Sequence, residues 1–344
     1  MASNSFGTLF RMTSFGESHG VGLGAVIDGC PSMVPFDQDL LQKQMSRRRP
    51  GQSKVTTARD EKDQVEILSG VFEGQTLGTP IAMVVYNKDQ RSRDYSEVKN
   101  QPRPGHADDV WKGKFGHSDY RGGGRSSGRE TLARVMAGTV AEMFMKHSFP
   151  GVKVSCFSRQ IGDVQLTDAE LAAAGEKIFD VDWLDQSASR FPNEAKSKQI
   201  DEILVKAKTE GHSYGGVAEI QIQGVPKGIG QPVFHKLKSD LACAFLSVGA
   251  TASFELGSGQ ESTQSEGSQF HAGSQDVYGG IRGGISTGET IRCQVGFKPT
   301  ATVLHTAKSG RHDPCIVPRA VVVLEAMAKL VIADHLLWSR LDRA

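Results

Sequence analysis

Apolar positions along the chain change period repeatedly, alternating in short stretches and then recurring every three or four residues. Residues 5–29 read as a short strand, a loop over 13–20 and a second strand. Pro35 and Asp37 start an amphipathic helix through Leu40, Leu41 and Met45, which Pro50 stops. Residues 64–72 alternate as a half-buried strand, 81–86 form a second apolar strand, and 87–101 read as a polar loop. Ser127 and Glu130 have the spacing of a capping box ahead of an apolar helical stripe at Ala133, Val135, Met136, Val140, Met143 and Phe144. A strand at 152–157 follows, then a helix with a second capping box at Thr167 and Glu170, and a long helix over 193–210 that Gly211 ends. Residues 217–223 alternate with Ile220 and Ile222 on one face, 234–248 form a helix, and 290–297 form a strand before the terminal helix. The segment 255–275, rich in Ser, Gln and Gly, reads as a mobile loop. Strands arrive mostly as adjacent pairs between helices, which predicts an α+β fold of antiparallel layers and not a doubly wound sheet. No repeat and no linker interrupts the pattern, so 1–344 reads as a single domain.

Charge narrows the classes of partner. Forty Lys+Arg face 39 Asp+Glu, a net charge of +1, which makes no general case for binding nucleic acid or a membrane surface. The arginines are nonetheless clustered, at Arg47, Arg48, Arg49 with Lys54 and Arg59, and at Arg121, Arg125, Arg129 and Arg134. A neutral chain with local arginine clusters fits a small anionic ligand better than a polymer. The cysteines Cys30, Cys156, Cys243, Cys293 and Cys315 are odd in number with no CxxC, which argues against a disulfide framework or zinc site and for a reducing compartment. The N-terminal residues show no apolar leader. The apolar stretch 320–338 contains Glu325, Lys329 and Asp334 and reads as a packed helix, not a membrane span. The expectation is a soluble, cytoplasmic protein.

The chemistry concentrates in 103–131, RPGHADDVWKGKFGHSDYRGGGRSSGRET. It joins His106, on a Pro-Gly turn, to three glycines flanked by arginines and then to a helix start. Free N–H groups and a positive dipole end suit an anion there, and guanidinium groups bind phosphate or carboxylate in a fixed fork. The same residues also read as a mobile surface loop or as an RGG-like element for RNA. No Gly-Lys-Ser/Thr triplet follows, so this is not a P-loop, and adjacent glycines do not make a dinucleotide fingerprint. His19, between Ser18 and Gly20, reads on its own as a surface loop histidine. Arg47, Arg48 and Arg49 close a helix, but three in a row with Gly51 and Lys54 beyond exceed what capping requires.

Together and in this order, these blocks resemble the chorismate synthase family. They are FGESHG at 15–20, RRRPG at 47–51, RPGHAD at 103–108, DYRGGGRSSGRE at 119–130, GGIRGGIS at 279–286, KPT at 298–300 and GRHDPC at 310–315. The resemblance implies a lyase of the shikimate pathway that converts 5-enolpyruvylshikimate 3-phosphate to chorismate and phosphate by a 1,4-anti elimination. It implies reduced FMN as a cofactor that is not consumed, and homotetramers whose subunits layer helices between antiparallel sheets. Position by position, Arg48, Arg129 and Arg311 would grip the substrate anions, and His19 would protonate the departing phosphate. His106 would sit by the flavin and favour its reduced anionic form, and Asp313 would manage the proton at flavin N5. The flavin pocket would take Arg48, Lys54, Arg125, Ser126, Ser127, Gly249, Ala250, Gly283, Lys298, Pro299, Thr300, Ala301, Thr302 and Arg311. Lys54 stands where some relatives carry Arg, which keeps the charge but not the fork. Two sources of reducing equivalents stay open, NADPH used by the chain itself and an external flavin reductase. Two readings compete with the lyase. One is an RNA-binding module built on the arginines, against which the even charge weighs. The other is a flavin reductase or carrier without the elimination, against which the intact His19 and Asp313 weigh.

Overall fold

The computed structural model describes residues 3–49, 63–87, 105–273, 275–304 and 313–343. The N-terminal part gives strands β1 (Ser5–Phe6), β2 (Arg11–Gly16) and β3 (Gly22–Asp28), helix α1 (Gln38–Arg48), β4 (Glu66–Ile67), the hairpin β5 (Val71–Phe72) and β6 (Gln75–Thr76), and β7 (Ile81–Tyr86). Five of these strands form one sheet, in the order β1-β2-β3-β7-β4. Next come α2 (Asp108–Phe115), α3 (Thr131–Ser148), β8 (Lys153–Ile161), β9 (Val164–Gln165), α4 (Asp168–Ala174), α5 (Val181–Asp185) and α6 (Glu194–Glu210). The remainder is β10 (Gly216–Gln223), α7 (Leu237–Leu246), β11 (Thr251–Leu256), α8 (Gly267–Ala272), the hairpin β12 (Ile281–Arg282) and β13 (Ile285–Ser286), β14 (Ile291–Phe297) and α9 (Val317–Trp338). The second sheet has the order β11-β14-β10-β8-β9, and all strand pairings among the described residues are antiparallel.

The helices lie between the sheets because each sheet has one apolar face. Leu23, Ala25 and Ile27 of β3 alternate inward with Ile81, Met83 and Val85 of β7, and all are buried. In the second sheet Ile220 stands opposite Cys156 and Cys293, again buried. α3 packs on β2 and β3, α9 packs on β8 and β10, and the two helices pack on each other. α9 is apolar nearly all round, as a helix with no solvent face must be. The layered antiparallel α+β architecture expected from the strand pairs is therefore the one found.

Local signals fared unevenly. Asp37 caps α1 by accepting from Leu40 N at 2.8 Å. The Thr167–Glu170 capping box forms, and Asn193 and left-handed Gly211 bracket α6. The pairing of Ser127 with Glu130 does not form. Two short 3₁₀ turns, Gly124–Ser126 and Gly128–Glu130, intervene, and the Glu130 carboxylate goes to Arg134 Nε at 3.0 and 3.2 Å. A charged fork one turn on outcompetes a single backbone N–H. Residues 64–72 are not one strand, because Gly70 turns the chain at φ +84° and splits β4 from β5. β2 extends to Gly16, so the loop expected over 13–20 shrinks to 17–21. The segment 255–275 is not a structureless loop. It finishes β11, forms the 3₁₀ turn Gly259–Gln264 and then α8, which Glu266 caps.

The central helices touch at Gly138. A Cβ there would lie 2.5 Å from both Cα and Cβ of Ala326. Gly138→Ala is therefore expected to destabilise by about 1–3 kcal/mol through overpacking, outweighing the roughly 1 kcal/mol that alanine gains as a helix former. A urea midpoint equal to or above wild type would contradict this.

Candidate active site

The glycine triplet serves a histidine. His19 is 7% exposed, beneath the segment 121–124. A Cβ on Gly122, whose φ is +61°, would stand 2.1 Å from His19 Cε1 and 2.3 Å from Nδ1. Gly124, at φ +51°, would meet Glu17 Oε2 at 2.9 Å. Only glycine allows this approach and these backbone angles. Ser18 Oγ lies 3.1 Å from His19 Nδ1 and donates to the Arg121 carbonyl at 3.3 Å. A hydroxyl has one hydrogen, so with that hydrogen on the carbonyl the oxygen accepts Nδ1–H. The Arg121 guanidinium grips Asp119 through Nε and Nη2, each at 2.8 Å. Those bonds hold Asp119 below the ordinary carboxylate range, with the charge of His19 contributing.

The arginine triplet divides in the same way. Arg47 turns into the core, where it meets Asp185 at 2.7 Å and Glu325 at 3.0 Å. Arg48, at the end of α1 and 2% exposed, turns towards the start of α3. Its Nε donates to Thr131 Oγ1 at 3.1 Å and its Nη1 to Asp63 Oδ2 at 3.1 Å. The other oxygen of Asp63 meets Arg129 Nη1 at 3.1 Å, so one buried carboxylate serves both arginines. Burial pushes the Arg48 guanidinium down to about 10. Asp63 opposes that shift, and the nearby charges of Arg319 and Arg129 add to it. Such a group gains from a bound anion.

A cavity of about 710 Å³ opens beside Arg48, within the range of about 300–1,000 Å³ typical of small-molecule sites. Its wall brings together residues from five separate stretches: Arg48; His106; Arg125, Ser126 and Ser127; Gly249 and Ala250; and Lys298, Pro299, Thr300 and Ala301. Close backbone approach makes this possible. Gly105, at φ +73°, comes within 2.9 Å of the Ala301 methyl when a Cβ is built on it, and Lys298 N donates to Ala250 O at 3.1 Å. Ala250 itself holds φ +70°, a left-handed conformation that is uncommon outside glycine and collects at functional sites. Thr302 is not on the wall, but its Oγ1 lies 3.3 Å from His106 Nε2. Arg125 reaches back to the Gly16 carbonyl at 3.0 Å and to the Ser14 hydroxyl. The amides of Ser126 and Ser127 donate to Gly123 and Gly124. The anion-binding capacity of this stretch therefore rests more on side chains than on the free helix-start amides expected from the sequence.

Other expected residues lie elsewhere. His19 and Arg129 do not line this cavity. Asp313 is 8% exposed and its carboxylate pairs with Arg319, which does line the cavity. Gly283 occupies the turn of the β12–β13 hairpin, which packs against Lys236 and Gly230 away from this wall. Lys54 and Arg311 lie outside the described residues. Sequence reasoning missed Arg319, Asp63 and Asn87, and put Arg134 in a cluster without a role. Arg134 donates through Nη1 to Ser247 Oγ at 2.6 Å and through Nη2 to Ser247 O at 3.0 Å, tying α3 to the turn that carries Gly249 and Ala250. Arg319 left a trace in the sequence, as a lone cation inside an apolar run. Asp63 and Asn87 left none, because their partners are distant along the chain.

The wall combines cations with apolar surface, the donor set that would hold a flat ring bearing a phosphate. Arg48, Arg125, Arg134 and Arg319 provide cations, while Met12, Ile316, Ala320 and Val323 provide apolar contact. Among the described residues no cluster of His, Cys, Asp and Glu is arranged for a metal ion.

Comparison with known proteins gives one consistent answer. A family model described as chorismate synthase matches residues 10–337. A chorismate synthase of Bdellovibrio bacteriovorus is 58% identical over 346 residues, covering 100% of both chains. Those of Cytophaga hutchinsonii and Synechocystis sp. are 44% and 45% identical, covering 99% and 97% of both chains. A crystal structure of chorismate synthase superposes with a TM-score of 0.76 at 30% identity, covering 97% of this chain and 93% of the other. Arginines gathered on a cavity of cofactor size, in this fold and with these relatives, lead to one statement: the chain belongs to the chorismate synthase family, enzymes of chorismate formation in the shikimate pathway.

Proposed function

We propose that this protein converts 5-enolpyruvylshikimate 3-phosphate to chorismate and phosphate by a 1,4-anti elimination, with reduced FMN held in the 710 Å³ cavity. The observation that carries the proposal is Arg48, a buried guanidinium that opens onto that cavity beside a second arginine on the same carboxylate. Reduced FMN, when bound, would lend electron density to the allylic system of the substrate. The remaining work belongs to the chain. Arg125, Ser126, Ser127 and the segment 298–301 would hold the cofactor, with Gly249 and Ala250 allowing its ring to approach the backbone. Arg48 and Arg129 would orient the carboxylates and phosphate of the substrate. His19 would deliver its Nε2 proton to the departing phosphate as negative charge builds there. His106 would place positive charge beside the cofactor, and Asp313, paired with Arg319, would manage the proton taken up there. The proposal includes a cytoplasmic homotetramer. The cysteines, unpaired and four of them buried, support a reducing compartment, and Phe234 at 86% and Val233 at 64% exposed leave apolar surface for a subunit contact.

The test is anaerobic phosphate release with photoreduced FMN, compared with oxidised FMN in air. Release is expected only in the first, and equal release in both overturns the proposal. Adding NADPH with oxidised FMN then distinguishes self-reduction from dependence on an outside flavin reductase.

A further inference from the structure

Asn87 lies one residue past β7 and belongs to none of the motifs above. Its amide faces two ways. The two Nδ2 hydrogens are shared among three carbonyls, those of Gly20 at 2.8 Å and of Glu17 and Ser18 at 3.3 Å each. Oδ1 accepts from Arg129 Nε at 2.8 Å. The orientation follows from the partners, since carbonyls only accept and a guanidinium only donates. The backbone N–H of Asn87 also donates to Val21 O at 2.9 Å. One side chain thus holds the loop that carries His19 and, on its other face, an arginine from the 3₁₀ turn that precedes α3.

We infer that Asn87 is a positioning residue, which fixes the His19 loop relative to Arg129 so that proton donor and anion grip keep one geometry. This rests on the roles proposed above for His19 and Arg129. The loop needs such a tie, because Gly16 and Gly20 leave its backbone permissive. A displacement of about 1 Å at a reacting group costs on the order of 10²-fold in rate. Asparagine supplies donors and an acceptor in a neutral group, so the tie adds no charge to a site already crowded with arginines. Aspartate of the same shape would keep the acceptor and lose the donors.

The experiment compares full-length Asn87→Ala and Asn87→Asp with wild type, measuring chorismate formation anaerobically with reduced FMN. In Asn87→Ala both faces are lost, so kcat falls by about tenfold or more and KM rises. In Asn87→Asp the Arg129 contact survives, so kcat falls similarly while KM stays within about twofold of wild type. A merely structural role gives both variants one pattern. Combining Asn87→Ala with His19→Ala is expected to lower kcat by less than about twofold beyond His19→Ala alone, since the group being positioned is gone. If Asn87→Ala does not fold, Asn87→Asp with His19→Ala completes the same cycle. Losses that multiply in the double variant, or an Asn87→Asp enzyme with raised KM and unchanged kcat, overturn the inference. Wild-type protein that forms no chorismate, or a His19→Ala variant as fast as wild type, removes the underlying reading. An impaired His19→Ala beside unimpaired Asn87 variants removes the coupling alone.

Discussion

Glu325→Ala is expected to lower the stability of the folded protein by about 3–5 kcal/mol, the cost of stranding buried charge. Glu325 is 2% exposed in the middle of α9. It accepts from Lys329 Nζ at 2.5 Å and from Arg47 Nη1 at 3.0 Å. Asp185 also holds Arg47, and also meets Arg190 Nε at 2.7 Å, while Glu142 holds Lys329 at 2.6 Å. Arg47, Arg190 and Lys329 are thereby joined through three carboxylates, contributed by α3, α5 and α9. Removing the shared carboxylate leaves two cations each short of a partner. The measurement is the denaturant midpoint at neutral pH, and a loss below about 1 kcal/mol would show that Asp185 and Glu142 suffice alone. The same network contributes to the loss of stability in acid. Burial works against the charge of Glu142, but Lys329 and Lys146 outweigh it and hold its pKa at about 2, below the ordinary 4.5. The unfolded chain therefore binds that proton more readily. The stability Glu142 contributes is present above about 4.5 and is lost as pH falls towards 2.

His19→Ala is expected to lower kcat by about 10²–10⁴-fold, the span usual for a positioned general acid, while the protein stays folded. The ring is packed beneath Gly122 with Ser18 Oγ 3.1 Å from its Nδ1, so a smaller side chain leaves a gap there without crowding its neighbours. Wild-type turnover in this variant would move the protonation of phosphate elsewhere. A loss matched by a collapse of the melting transition would make His19 a packing residue.

Much of the architecture was legible because it is written locally. The caps of α1, α4 and α6, the apolar run of β7 and the alternation in β10 depend on neighbours a few residues apart. Strand order was not legible, since β3 pairs with β7 across an intervening helix and hairpin. In the site, the motifs marked where arginines gather but not which of them are already occupied. Arg47 and Arg48 are adjacent, yet one serves a core ion network and the other opens on the cavity. Their partners, Glu325 and Asp63, come from the far end of the chain and from an unremarkable stretch. Glu130 failed as a capping residue for a local reason, because Arg134 one turn on offered a stronger partner.

The contact between Gly138 and Ala326 has a mechanical side. Thr131 and Arg134 line the cavity from the start of α3, and Arg319 and Val323 line it from the start of α9. On each helix the contact point lies about two turns beyond the cavity residues Thr131 and Arg319. The helices are thus pinned to each other like crossed rods at a rivet, with no room at the crossing for them to slide. Widening the cavity by spreading its helical sides would require breaking that joint. Adaptation to a larger or differently shaped ligand is therefore channelled into the loops at 105–107, 247–250 and 298–301, which can be rebuilt without disturbing the frame.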